Sequence, residues 1–368
     1  MARSSRAASS APRDKLLPAA QGYRMPAEWQ RHESTWLAWP HFRGDWPGKF
    51  EPIPWVYAEI IRTLARHERV DLIINDASSE KRASAVLEKA GALSDNVRFH
   101  RWPTDRVWTR DSGCIFLTPA TEHTDGHLLA LHFQFNAWAK YSNYALDEKV
   151  GERMARTARG RMVQPLSGAH RVVLEGGSID VNGRGTLITT EECLLSTTQQ
   201  RNPPMDRAAY EQMFADYFSV QSVIWLDSGI AGDDTHGHVD DITRFVAPNT
   251  VITMVEPNER SENCVPLRAN LGRLRNARTA DGQKLEIIKL PMPQPVLFEG
   301  RQLPASYANF YIANDVVLVP VFNDPNDRIA LNAFTELFPT REIVPIYSGD
   351  LIWGFGALHC MTQQQPAT

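Results

Sequence analysis

The feature that most constrains this chain is a recurring alternation of short apolar runs with helix-like stretches, continuing from Tyr23 without a long linker. The segment VDLIIND (70–76) reads as a strand. The residues after it carry Ala83, Val86 and Leu87 at helical spacing. VIWLDSG (223–229) is a second strand, leading to a pair of strands around DDITRFV and TVITMV. NFYIANDVVLVPVF (309–322) holds Asn314–Asp315 as a hairpin turn. A helix with Ile329, Ala333 and Leu337 on one face follows, then another strand. VVLEGGSIDVNGRGTLITT (172–190) reads as a hairpin turned at Asn182–Gly183. Strands alternating with helices predict an α/β chain. No Pro-, Gly- or Ser-rich run divides it, so residues 23–368 are expected to form one domain. The units are too divergent for self-similarity to define a repeat.

Composition narrows the function classes. Hydrophobic residues make up 43% and charged residues 22%, which excludes a disordered chain. A net charge of −4 argues against a nucleic-acid partner. No apolar run approaches the ~20 residues of a membrane-spanning helix, so no membrane association is expected. Cys114, Cys193, Cys264 and Cys360 form no C-x-x-C pair and fit neither a zinc ribbon nor a disulfide scaffold. Residues 1–22 are rich in Ser, Ala and Arg, with Asp14 as the single acid and no apolar core. They are read as a disordered tail, with an organelle transit peptide as the alternative. The expected location is the cytoplasm, and a homo-oligomer is left open.

Four segments could carry chemistry. In DTHGHVDD (234–241), an extended backbone would put His238 and Asp240 on one face and Val239 in the core. The same segment, as H-x-H-x-D-D, offers His236, His238, Asp240 and Asp241 as metal ligands. A plain polar turn is the third reading. In VWTRDSG (107–113), Asp111 stands at a strand start, where a carboxylate is often only a turn residue. In LEGGSID (174–180), Glu175 ends an apolar run before two glycines, and no phosphate-loop pattern follows. In WGFGALHCMTQQQP (353–366), Cys360 follows a tightly turned Gly–Phe–Gly run. It is a candidate nucleophile or an inert buried thiol, and QQQP looks unlike a core element.

Taken together and in order, these segments resemble the agmatine deiminase family of guanidine-modifying enzymes. RMPAEWQRHESTWLAWP (24–40) and ASYANFYIANDVVLVPVFNDP (305–325) join the match, which spans nearly all of residues 24–366. The resemblance implies an α/β-propeller of ββαβ units about a pseudo-five-fold axis, with the site in the central channel. It implies Cys360 as nucleophile and His238 as general acid/base. Asp111 and Asp240 become the guanidinium-gripping carboxylates, and Glu175 the acid that orients the histidine. Trp108 becomes a pocket aromatic and Gly356 part of the loop that shapes the pocket. The implied substrate is agmatine, a small guanidine, with no metal or organic cofactor. Asp234 or Asp233 is the expected partner of its distal ammonium. A peptidyl-arginine deiminase and a non-catalytic guanidine- or polyamine-binding protein are the alternatives. Phe355 and Ala357 interrupt the family's glycine loop, and Cys114 stands where a proline is common.

Overall fold

A computed structural model of the chain describes residues 17–120 and 127–368. One arrangement recurs in five sheets: an antiparallel strand pair, then a helical crossover to a strand parallel to the second. In one unit Ile115–Pro119 pairs with Leu129–Leu131, and helix Val150–Thr157 leads to Arg161–Val163. The next joins Asp180–Val181, Thr186–Thr190 and, after helix Arg207–Phe218, Ser222–Leu226. Then come Thr243–Ala247, Thr250–Val255, helix Cys264–Asn276 and Glu286–Pro291. A further unit holds Tyr311–Ile312, Val316–Val321, helix Asp327–Leu337 and Glu342–Tyr347. In the last, C-terminal Gln363–Pro366 pairs antiparallel with N-terminal His32–Ala38, which lies parallel to Arg69–Ile74. The two chain ends therefore close one sheet, and the fold is a five-unit α/β-propeller.

The physical basis is regular. Parallel neighbours need a crossover of a dozen or more residues, which the helices supply. Strands covered on both faces read as continuous apolar runs, and all but the last residue of Val316–Val321 is buried.

Several local expectations change. QQQP is a buried strand because its amides find partners. Gln363 donates to the Cys114 carbonyl (3.0 Å), Gln364 accepts from Arg110 (2.7 Å) and Gln365 accepts from Trp36 (3.2 Å). Helix Asp327–Leu337 buries Ala330 and Phe334, while Ile329 is 50% exposed. The 172–190 hairpin turns through four residues. Gly183 and Gly185 take the positive φ, while Asn182 braces the loop by accepting from the Arg184 and Thr186 amides. Residues 1–16 of the expected tail lie outside the described residues. Its end, 17–22, contains a short 3-10 turn, Ala19–Gln21, closed by left-handed Gly22 and tied to the body through Gln21 and Arg161.

Candidate active site

Each of the five units sends one short turn to the propeller axis just before its first strand. Thr109–Ser112 carries Asp111, and Gly176–Ser178 follows Glu175. Val239–Asp241 carries Asp240 and follows His238. Tyr307–Asn309 ends on Asn309, and the turn before Gln363–Pro366 holds Cys360. The extended backbone expected at 238–240 gives way after His238 to the 3-10 turn Val239–Asp241. His238 and Asp240 still face one site, and Val239 is fully buried in the core.

The five expected catalytic side chains converge. His238 Nδ1 lies 3.9 Å from both Asp111 and Asp240, and its Nε2 lies 3.8 Å from Glu175. Cys360 Sγ is 3.6 Å from Asp240 Oδ2. All are buried, Glu175, His238 and Asp240 completely. Neither ring nitrogen of His238 has a hydrogen-bond partner, and neither does Glu175 Oε2 or Asp240 Oδ1. Such groups cost free energy unless something satisfies them, so the site is built for a polar occupant.

Burial and neighbours set the protonation states. Burial opposes charge on His238, but Asp111, the Cys193 thiol and Glu175 outweigh it and push the imidazole well above its ordinary range. Burial, with the charges of Asp240, Asp241 and Asp111, holds the Cys360 thiol well above its usual range. Burial also lifts Asp111 to about 6, although His238 pulls it down. It works against charge on Asp240 too. His359, whose Nδ1 sits 2.7 Å from Asp240 Oδ2, and then His238 and Arg244 keep that carboxyl below its ordinary value. The site therefore favours a protonated thiol at Cys360 and a charged imidazole at His238.

A pocket of about 540 Å³ opens onto Cys360 and Asp111 and is walled by Trp108, Trp138, Tyr141 and Phe355. Gly356 lines it too, and a Cβ there would meet Trp108 at 2.6 Å and Cys360 at 3.0 Å. Phe355 adopts a left-handed conformation (φ 65°), normally the province of glycine, and stacks under Arg301.

The distal acids behave differently from expectation. Asp234 lines the pocket, but Lys140 (2.5 Å), Tyr141 (2.5 Å) and Arg301 (3.4 Å) already occupy its carboxylate. Asp233 is a loop brace that accepts from the backbone amides of Thr235, Gly237 and His238. The H-x-H-x-D-D ligand set is not assembled. His236 turns away to Ser196 and Glu192, and Asp241 accepts from Asn309. A different trio, Glu175, Cys193 and His238, has ligand-type atoms within 4.8 Å of one another. The Arg201 guanidinium, 3.1 Å from Glu175, already supplies that trio with a positive charge.

Sequence reasoning passed over four contributors. Asn309 donates to Cys360 Sγ (3.1 Å), and its Oδ1 accepts from the His359 and Cys360 amides. Trp138 Nε1 donates to Asp111 (2.9 Å) from Ala137–Trp138–Ala139, three successive residues with positive φ. Backbone strain of this kind persists where surrounding contacts over-determine it, as they do at functional sites. Arg201 neutralises Glu175, and His359 links Asp240 to buried Glu28. The signal for Asn309 was its place just before a unit's first strand, matching the other four turns. The others carry no local sequence mark.

Known proteins resemble this chain in sequence and in fold. The family model for Porphyromonas-type peptidyl-arginine deiminase matches residues 24–366. The chain is 34% identical to an agmatine deiminase of Pseudomonas aeruginosa, over 95% of this chain and 97% of that protein. Its structure resembles an Enterococcus faecalis agmatine deiminase with a TM-score of 0.86 at 28% identity, covering 95% and 98% of the two chains. A C. jejuni agmatine deiminase with substrate bound superposes with a TM-score of 0.81 at 29% identity, covering 93% and 96%.

Proposed function

Because the chain belongs to the Porphyromonas-type peptidyl-arginine deiminase family, we propose that it is an agmatine deiminase that hydrolyses agmatine to N-carbamoylputrescine and ammonia. The observation that carries this reading is the convergence of Asp111 and Asp240 on His238, with Cys360 against Asp240, each from a short turn at the axis. A guanidinium is planar, delocalised and permanently cationic, and its carbon is a poor electrophile. Two carboxylates fix its plane and balance its charge through charge-assisted hydrogen bonds.

Docking of that cation also changes the thiol. The charges that keep Cys360 protonated belong to Asp240, Asp241 and Asp111, and the substrate neutralises two of them. The thiol proton then leaves for solvent, and Asn309 helps hold the thiolate. The thiolate attacks the guanidinium carbon. Protonated His238 donates to the departing nitrogen, which leaves as ammonia, and an amidino group remains bonded to Cys360. Neutral His238 next takes a proton from water. The resulting hydroxide attacks the same carbon, and the sulfur leaves with N-carbamoylputrescine released. Glu175, paired with Arg201, orients and stabilises the imidazolium. Side chains supply every step. No described helix is long and apolar enough to cross a membrane, and we place the reaction in the cytoplasm.

Ammonia release measured side by side on agmatine, arginine and a peptide ending in arginine tests the reading. Agmatine should give the highest kcat/KM, and Cys360→Ser should lose turnover at an unchanged thermal midpoint. A peptide handled best would make the chain a peptidyl-arginine deiminase. Turnover of no guanidine would leave a binding protein.

A further inference from the structure

Besides Asp111, two acids line the active-site pocket, Asp45 and Asp234. Their states differ. Asp234 is matched by Lys140, Tyr141 and Arg301, so an arriving ammonium would have to displace a lysine to reach it. Asp45 is only 5% exposed and uses one oxygen, Oδ1, for Arg106. Its second oxygen, Oδ2, is buried without a hydrogen-bond partner. A carboxylate oxygen in that state costs free energy until a donor arrives.

The surroundings of Asp45 hold it in place. It belongs to a short turn, Arg43–Asp45, whose next residue, Trp46, is fully buried and donates to the Leu351 carbonyl at 2.9 Å. The Arg106 guanidinium that pins Oδ1 stacks over Tyr141, another pocket wall, at 4.2 Å from the ring centroid. Burial, reinforced by the charge of Asp234, raises the Asp45 carboxyl to about 6 despite Arg106 and the Trp108 indole beside it. A cation on Oδ2 would relieve both the missing bond and the cost of the charge. The pocket that Asp45 and Cys360 both line is also walled by the rings of Trp108, Trp138 and Tyr141, suited to an alkyl chain.

We propose that Asp45 is a specificity-determining residue whose free Oδ2 receives the distal ammonium of the substrate. The proposal rests on the reading of the site as one for a cationic alkylguanidine. Asp234, by contrast, organises Lys140 and Arg301 at the pocket edge. A carboxylate at the same end of a substrate, as in arginine, would be set against Asp45 and repelled.

The test compares agmatine with n-butylguanidine, which keeps the guanidinium and the four-carbon chain but lacks the distal cation. In Asp45→Asn, the agmatine-to-butylguanidine ratio of kcat/KM should fall at least tenfold, mainly through KM for agmatine. Damage to folding or chemistry would lower both substrates together and leave the ratio intact. The same two ligands are titrated by calorimetry into Cys360→Ser with and without Asp45→Asn, where the preference for agmatine should vanish. An unchanged ratio, or a selective loss in Asp234→Asn instead, would overturn the proposal. Failure of the wild type to turn over either guanidine would refute the enzymatic reading, while the calorimetric comparison would still decide the role of Asp45.

Discussion

Gly177 offers a sharp perturbation because it has no room for a side chain. A Cβ built there would lie 2.6 Å from His238 Nδ1, and 3.0 Å from both Asp111 Oδ1 and Asp240 Oδ2. Ordinary contact begins near 3.4 Å, so His238 must retreat by about 0.8 Å in Gly177→Ala. The backbone at 177 does not use positive φ, so alanine adds no backbone strain. The whole effect therefore falls on the wedge between base and carboxylates. Misplacing a catalytic group by about 1 Å costs roughly a hundredfold in rate, and kcat should fall by about that much. Overpacking should cost about 1–3 kcal/mol of stability, lowering the thermal midpoint by a few degrees and leaving a folded enzyme. Steady-state kinetics on agmatine with calorimetry of the same preparation measure both. A kcat within twofold of wild type would refute the view that His238 works from this position.

Asp111→Asn should lower kcat/KM at least a hundredfold while stabilising the protein at neutral pH. Burial raises the Asp111 carboxyl to about 6, above its ordinary value near 3.9. The folded state thus gives up stability as pH rises from about 4 through 6, by about 3 kcal/mol in all. The variant's gain in thermal midpoint should be full at pH 8 and fade toward pH 4; a gain independent of pH would exclude this cause. Arg201→Met should cost about 3–5 kcal/mol and much of kcat, because it strands a buried carboxylate. Burial disfavours charge on Glu175, yet Arg201 and His238 hold it at about 2, so this pairing stabilises the fold above pH ~4 and fades as pH falls toward 2. Wild-type stability of Arg201→Met at pH 7 would show that Glu175 needs no such partner.

How much was legible in the sequence depended on how local each signal was. Strands such as Arg69–Ile74 and helix Ala77–Lys89 followed from periodicity, because core packing imposes it directly. Cys360, His238, Asp111, Asp240 and Glu175 are only candidates beside glycines and turns until the family resemblance gives them roles, and the structure gathers them at the axis. Asn309 lies within the family-like segment 305–325 yet carries no mark of its own, because an asparagine is an ordinary turn residue until a thiol is placed 3.1 Å away. Arg201 and Asp45 gave no signal because their partners, Glu175 and Arg106, are brought to them by tertiary closure. The same limit explains QQQP. Three glutamines suit a core strand only when Cys114, Arg110 and Trp36 from elsewhere in the chain meet their amides. It also explains Asp234, whose availability depended on Lys140 and Arg301 arriving from two other segments.

The central claim is that Cys360 attacks a guanidinium carbon held between Asp111 and Asp240. It is tested most directly by mixing enzyme with agmatine, quenching in acid within a single turnover, and mapping the adduct by peptide mass spectrometry. The account expects the peptide containing Cys360 to gain the mass of agmatine less ammonia, and the adduct to disappear as N-carbamoylputrescine forms. Full turnover with Cys360 unmodified throughout, or an adduct on Cys193 instead, would contradict it.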